Sequence, residues 1–542
     1  MKRTLVFLTL IGLFLAHPGL QAGRNSDSVT PELSLSLHWA AGYDGPASGD
    51  ARSSGIVLSP DGETLYATGQ SRGAGSGWDY ATVAYDSATG EERWNSRYDG
   101  PASSSDIPVA LAVSPDGQTL FVTGSSESDY ATVAYDTVTG LERWIARYDY
   151  QSGLDTASAL ALSPDGSRLF VTGSSRRWDT YRQPNYATLA YDAATGEQLW
   201  SERYEGPASG KEMAAAIAVS PSGSRVFVAG ITQDWGADWS YGTVAYEADT
   251  GQQIWVAHHA QDHIYMVNAL AVSPDGSKVL VAGNAGTVAY DATTAAPLWS
   301  DEGGVQGVAF DTNGSMVFAT GSATLACHAE TGGQVWSEAG GHSLALSADA
   351  TRMMVSTSGG VAGYDTATGH RFLDARVNSG TSIVASADGF TLYVTGGVTG
   401  SDYVTRAYLA ALQVVIDVTP ELAGNWVNPL NPVPVAILGS AEMDVRDIDV
   451  TTLRFGPARV GATHDLTDLF VFGQHLADVN LDGNIDLIVH FSPQAAGIVE
   501  GVDSVTLRGH LNSGVPIAGT DSITVLVDAG ASGQTIVGTS DR

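Results

Sequence analysis

A tight turn with the sequence Ser-Pro-Asp-Gly recurs along this 542-residue chain. With its variants the turn occurs eight times, beginning at Ser59, Ser114, Ser163, Ser220, Ser273, Asp311, Ser347 and Ser386. The spacings between successive copies are 55, 49, 57, 53, 38, 36 and 39 residues. Periods of this length restrict the chain to an array of similar units that bury their apolar faces against one another.

Short strands flank each turn. In the second unit Ala110–Ser114 reads ALAVS and Leu120–Gly124 reads LFVTG, on either side of the turn. Tyr130–Asp136 reads YATVAYD with a period of two, and Leu141–Tyr148 forms a fourth candidate strand. Four short antiparallel strands per unit, in eight units, predict an all-β chain with an eight-bladed β-propeller.

A second motif, Ala-x-Asp-x-x-Thr-Gly-x-x-x-Trp, marks the turn between the third and fourth strands, as in Ala134 to Trp144. The Asp can accept hydrogen bonds from nearby backbone N–H groups, and the Trp can fill the space between neighbouring blades. We therefore interpret these residues as structural. The fifth unit departs from the motif, because Ala295 replaces its glycine.

The two ends of the repeat complement each other. The last unit, Ser382 to Gln413, lacks a fourth strand with its Trp. The segment Leu33–Pro46 matches that missing strand and places Trp39 at the Trp position. We therefore predict a propeller over residues 23–413 that is closed by its N-terminal strand, since closure removes exposed sheet edges.

The first 22 residues have the pattern of a signal peptide, and we exclude them from the fold. Lys2 and Arg3 precede an apolar run too short to span a bilayer, and Gly19 to Ala22 offers a small-residue cleavage site. The formal net charge is −33, which disfavours nucleic acid as a partner. We expect an exported protein without a membrane span, in the periplasm or outside the cell.

Residues 414–530 lie beyond the repeat and read as a small β-sandwich, followed by a tail at 531–542. This region contains the segment DVNLDGNID. We predict that calcium binds there to Asp478, Asn480, Asp482, the backbone carbonyl of Asn484, and Asp486. The loop differs from an EF-hand because its twelfth position is Val489 instead of Glu. The alternative is a turn that holds no metal.

The Asp-turn-Trp motif resembles the blades of quinoprotein-like propellers, and Trp94 to Gly124 is similar to propeller repeats of bacterial secreted proteins. The C-terminal region resembles a module appended to exported bacterial proteins. Some quinoprotein-like propellers bind pyrroloquinoline quinone, often with a vicinal cysteine pair. Cys327 is the single cysteine, so that pair is absent and we do not expect the quinone. A motif of this kind indicates the fold far better than the function.

Loops after the second strands of the first four units are mostly long and rich in aromatic residues. We predict that they bind a partner, a protein or a carbohydrate, through Trp78, Trp178, Tyr181, Trp235 and Trp239. The alternative is that these rings pack their own loops. Because no catalytic residue stands out, we favour an exported binding or scaffold propeller with a calcium-stabilised C-terminal domain. The alternative function is a propeller enzyme, either quinone-dependent or glycan-acting.

Overall fold

A computed structural model describes most of the chain. The described residues are 33–46, 51–75, 77–102, 104–176, 183–206, 210–233, 239–260, 264–376, 382–397, 403–420, 425–440, 443–463, 473 and 475–526. Their contacts define two compact structural units. The first contains Leu35–Leu409, and the second contains Ser34 and the residues from Ala410 onward. The predicted signal peptide and the C-terminal tail lie outside the described residues.

In the first unit, the first four sheets each contain four antiparallel strands in chain order. Blade one is Ala51–Leu58, Thr64–Arg72, Trp78–Asp86 and Glu92–Tyr98; blade two is Asp106–Val113, Thr119–Ser126, Asp129–Asp136 and Glu142–Tyr148; blade three is Leu154–Leu162, Arg168–Arg176, Asn185–Asp192 and Gln198–Tyr204; blade four is Lys211–Val219, Arg225–Gln233, Trp239–Glu247 and Gln253–Ala260.

The next three blades have the same order but shorter strands. Blade five is Val267–Val272, Lys278–Gly283, Gly286–Asp291 and Pro297–Asp301; blade six is Val305–Phe310, Met316–Gly321, Ala323–His328 and Gln334–Ala339; blade seven is Ser343–Leu346, Arg352–Thr357, Gly360–Asp365 and Arg371–Ala375.

Blade eight combines both ends of the first unit. Its strands Ser382–Ala385, Thr391–Gly397 and Tyr403–Gln413 come from the end of the repeat. The N-terminal strand Ser34–Tyr43 pairs with Tyr403–Gln413 and is the fourth strand. Among the described residues this makes eight four-stranded blades, and it confirms the predicted all-β propeller fold.

Neighbouring blades are joined by a tryptophan from each of seven fourth strands. Each indole Nε1–H donates to a backbone carbonyl of the following blade at 2.8–3.1 Å. The donors are Trp39, Trp94, Trp144, Trp200, Trp255, Trp299 and Trp336. Each ring therefore fills apolar space between two blades while its polar atom keeps a partner.

The second unit is a β-sandwich, as the sequence predicted. One sheet contains Ile416–Val418, Val433–Ile437, Asp486–Phe491 and Leu476–Ala477, and the other contains Ile448–Phe455, Ser504–Leu511 and Pro516–Ser522. A further pair is Trp426–Val427 with Thr524–Val525, and Val445–Asp447 forms a 3₁₀ turn. The two sheets meet in an apolar core, in which the rings of Phe455 and Phe491 stack 4.7 Å apart. Among the described residues, none belongs to a helix with the length and apolarity that crossing a bilayer requires.

Candidate functional site

The centre of the ring contains a narrow cavity of about 270 Å³. The first strands of blades two to seven line it with small or uncharged side chains. The lining residues are Val109, Ala110, Ser158, Ala159, Ala215, Ala216, Ile217, Asn268, Ala269, Leu270, Gln306, Gly307, Val308, Ser343 and Leu344.

This central cavity does not suit pyrroloquinoline quinone. The quinone carries three carboxylates, which need cationic or metal partners when they leave water. The described residues that line the cavity include no Arg, Lys, His, Asp or Glu. The cavity therefore supplies neither a cation for the quinone nor carboxylates for a metal beside it.

A wider cavity of about 460 Å³, which we call the basin, opens over blades five to seven. It is formed by hairpins between second and third strands and by connections between blades. Its lining residues are Tyr265, Asn284, Gly304, Gln306, Gly321, Ser322, Gly340, Gly341, His342 and Ser358. In these blades only two residues or one separate the second and third strands, whereas five separate Arg72 from Trp78 in blade one. The short hairpins therefore leave the basin open.

Close backbone packing forms the floor of the basin. A Cβ at Gly340 would lie 2.1 Å from the carbonyl oxygen of Gly321, and one at Gly341 would lie 2.3 Å from a Val355 methyl group. At the rim, Asn284 Oδ1 accepts from the backbone N–H groups of Tyr265 and Met266, at 3.0 and 2.8 Å. The Asn284 hydrogen bonds hold the chain at Tyr265 and Met266 in place at the rim. Because the floor glycines have no side chains, a ligand in the basin would contact backbone groups directly.

The basin offers polar hydrogen-bonding groups and one exposed aromatic ring. Tyr265 is 62% exposed, and Gln306, Ser322, His342 and Ser358 are polar side chains on the same cavity. No carboxylate, ammonium or guanidinium group is among the described lining residues. These groups can satisfy hydroxyl and amide groups, and a flat ring can stack on a sugar or an apolar side chain. The sequence does not reveal this set, because its members come from six separate loops and from the strand Val305–Phe310.

Two of the predicted partner-binding aromatics, Trp78 and Trp239, begin the third strands of blades one and four and do not line the basin. Trp178, Tyr181 and Trp235 lie outside the described residues. Trp78 is half-buried, with the guanidinium carbons of Arg52 and Arg72 at 5.6 and 5.2 Å from its ring centre. Trp239 is half-buried and packs against the apolar cluster between blades four and five. Both described rings therefore contribute to packing within the ring.

The predicted calcium loop is a compact turn in the second unit. The N–H of Asp482 donates to Asp478 Oδ1 and Asn480 Oδ1 at 3.1 and 3.0 Å, and Asn484 N–H donates to Asp482 Oδ1 at 2.8 Å. The structure thus brings the oxygens of Asp478, Asn480 and Asp482 close together. The hydrogen bond from Asn484 N–H also lowers the pKa of Asp482.

Asp486 plays a different part in this loop. It is fully buried, and its two oxygens accept from the backbone N–H groups of Gly439 and Val479, at 2.8 and 2.9 Å. These bonds anchor the loop to the sandwich. A bound cation would therefore share Asp486 with two backbone donors.

Comparisons with known proteins place this structure among β-propeller repeat proteins. The model of a family described as outer membrane protein assembly factor BamB matches residues 36–230 and 240–408. Quinohemoprotein alcohol dehydrogenase from Comamonas testosteroni is similar at 13% identity with a TM-score of 0.50, over 69% of this chain and 76% of that one. Hydrazine synthase from Kuenenia stuttgartiensis is 18% identical with a TM-score of 0.40, over 58% of this chain and 95% of that one. No curated protein matches the chain significantly.

Proposed function

The chain belongs to the family of the outer membrane protein assembly factor BamB, and we propose that it is an exported propeller that binds a neutral carbohydrate in the basin. The observation that carries the proposal is the chemistry of the basin. It combines an exposed ring at Tyr265 with hydroxyl, amide and imidazole groups, and its described lining residues include no carboxylate, ammonium or guanidinium group.

The lining of the central cavity favours a ligand-binding function over quinone-dependent catalysis. The similarity to an alcohol dehydrogenase, at 13% identity, concerns the fold alone. The central cavity lacks the charged groups that a tricarboxylate cofactor needs, whereas the basin has hydrogen-bonding groups without any evident catalytic arrangement. A family named for an assembly factor is also consistent with binding. The second candidate ligand is a peptide, because backbone carbonyls on the basin floor can pair with peptide N–H groups.

The decisive experiment is a glycan array with the full chain, followed by titration of the tightest glycan. Tyr265→Ala and Gln306→Ala should each weaken binding about tenfold or more, as for a central contact in an interface. The melting temperature should hardly change, because both side chains are exposed.

Trp78→Ala is the matched control on the same side of the ring and should leave affinity unaltered. If Trp78→Ala weakens binding and Tyr265→Ala does not, the site lies over blade one. An array without a binder contradicts a carbohydrate ligand.

We also propose that the loop Asp478 to Asp486 binds calcium and stabilises the second unit. Clustered carboxylate and amide oxygens, with Gly483 at a φ of +91°, support this assignment. The signal-like sequence of the first 22 residues supports export into a compartment where calcium is available.

A further inference from the structure

The junction between blades one and two contains three clustered carboxylates. One side-chain oxygen from each of Asp79, Asp99 and Asp106 lies within 4.8 Å of those of the other two. Asp79 is on the third strand of blade one, Asp99 follows its fourth strand, and Asp106 begins the first strand of blade two. The cluster therefore spans two blades.

The same arrangement recurs at the next junction. Asp129, Asp149 and Asp155 occupy the corresponding positions in blades two and three, and their oxygens also lie within 4.8 Å of one another. In both clusters the middle residue is exposed and the last is buried. The same geometry therefore occurs at two successive junctions of the ring.

Each cluster contains a buried oxygen without a hydrogen bond. Asp106 and Asp155 are fully buried. One oxygen of each accepts from a backbone N–H, of Gly100 at 2.7 Å or Tyr150 at 2.6 Å. The other oxygen, Oδ1 in both residues, is buried and accepts no hydrogen bond among the described residues. Burial raises the pKa of both carboxyls, and a neighbouring carboxylate, Asp79 or Asp149, raises it further.

The protein neutralises only part of this charge. Arg97 pairs with Asp79 at 2.7 Å, and Arg147 pairs with Asp129 at 2.8 Å. In the first cluster the buried Asp106 is not part of this ion pair. Near the second, the guanidinium of Arg203 stacks 3.8 Å from the centre of the Tyr150 ring and partly offsets the raised pKa of Asp155. A buried carboxylate without a compensating charge is costly, so a cation would stabilise both clusters.

We propose that each of these two clusters binds one calcium ion, which links the third and fourth strands of one blade to the first strand of the next. Oxygen ligands of mixed exposure suit calcium, because it accepts irregular geometry and completes its shell with water. Magnesium demands a near-ideal octahedron and is the poorer match. This assignment is independent of the basin and of the C-terminal loop.

The repeat itself supplies an internal comparison. At the third junction the corresponding residues are Asn185, Glu205 and Glu212, and at the closing junction Ala51 stands where Asp106 stands in blade two. Neither junction has the three aspartates. We therefore expect two calcium sites in the ring and a control position beside them.

Calorimetric titration of the metal-stripped full chain with calcium chloride tests the assignment. The parent for all measurements is Asp478→Asn/Asp482→Asn, so that binding at the C-terminal loop does not contribute. We expect this parent to bind two calcium ions per chain, and Asp99→Asn to reduce the number to one. Asp99→Asn/Asp149→Asn should abolish binding, while Glu205→Gln should leave two sites.

The substitutions in the ring change exposed carboxylates, so folding of the ring should be preserved. Melting curves provide a second readout: calcium should raise the melting temperature of the parent and leave that of the Asp99→Asn/Asp149→Asn variant unmoved. A parent that binds no calcium would overturn the assignment. So would a doubly substituted variant that binds as many ions as the parent.

Discussion

Single glycines in the third turn allow neighbouring blades to approach each other. Gly140 has a φ of +70°, and a Cβ there would lie 2.6 Å from atoms of the Trp94 ring. Gly90 has the same relation to Trp39, at 2.5 Å. Glycine is therefore needed twice over at these positions, for the left-handed backbone and for the close contact with an indole. Blade five is the exception, since Ala295 adopts a φ of +63°.

Ala295→Gly should stabilise the ring. An L-residue in the left-handed region costs about 1–2 kcal/mol, and Ala295→Gly removes this cost. Part of the resulting stabilisation is lost again, because glycine makes the unfolded chain more flexible. We expect a net stabilisation of about 0.5–1 kcal/mol, measured as a shift in the denaturant midpoint. Gly140→Ala is the matched reverse change and should destabilise by more, because it adds a clash with Trp94. Ala295→Gly lowering the midpoint would contradict this account.

At the scale of strands and blades, local patterns predicted most of the architecture. The turn at Ser114 and the alternation in Tyr130–Asp136 are encoded within a few residues, and both elements form as expected. The basin could not be predicted, because Tyr265 and Ser358 are 93 residues apart in the chain and meet only through the ring. Sequence shows that Trp239 is aromatic but not that it packs against the apolar cluster between blades four and five.

The carboxylate clusters left a weaker signal in the sequence. An acidic residue precedes the Tyr of the third strand at Asp79 and Asp129, and another lies eight residues before the turn at Asp106 and Asp155. Each of these acidic positions, taken alone, is typical of an exposed surface charge. Only the pairing of adjacent blades brings them within the reach of one ion.

The strand Ser34–Tyr43 provides a direct test of closure. Trp39 Nε1 donates to Ser87 O of blade one at 2.8 Å, and the Tyr43 ring lies 5.4 Å from that of Tyr403. Trp39→Ala should destabilise the ring by about 3–5 kcal/mol, as for other buried aromatic truncations. Deleting residues 23–46 should lower the melting temperature further, because it exposes a sheet edge. Leu37→Ala is the control on the same strand, since Leu37 is 54% exposed. An unchanged melting temperature in the deletion would rule out closure by this strand.

At the scale of the whole molecule, the chain has two compact units with separate cores. The first is stabilised by contacts repeated from blade to blade, and the second by one apolar core between two sheets. The described part of the chain has its one cysteine, Cys327, buried and free, so no disulfide reinforces either unit there. Stability must come from packing, supplemented by any bound ions.

Calcium should therefore affect the two units through different residues. In a full chain carrying Asp99→Asn/Asp149→Asn, only the loop Asp478 to Asp486 remains to bind the ion. Calcium at 100 times its dissociation constant should then stabilise the second unit by about 2.7 kcal/mol, because binding to the folded state alone shifts the unfolding equilibrium. Differential scanning calorimetry with calcium and with chelator measures the shift. Adding Asp482→Asn should abolish it, whereas Asp503→Asn, an exposed control in the same unit, should not. Superimposable transitions at millimolar calcium would show that the loop is a turn held by its own hydrogen bonds.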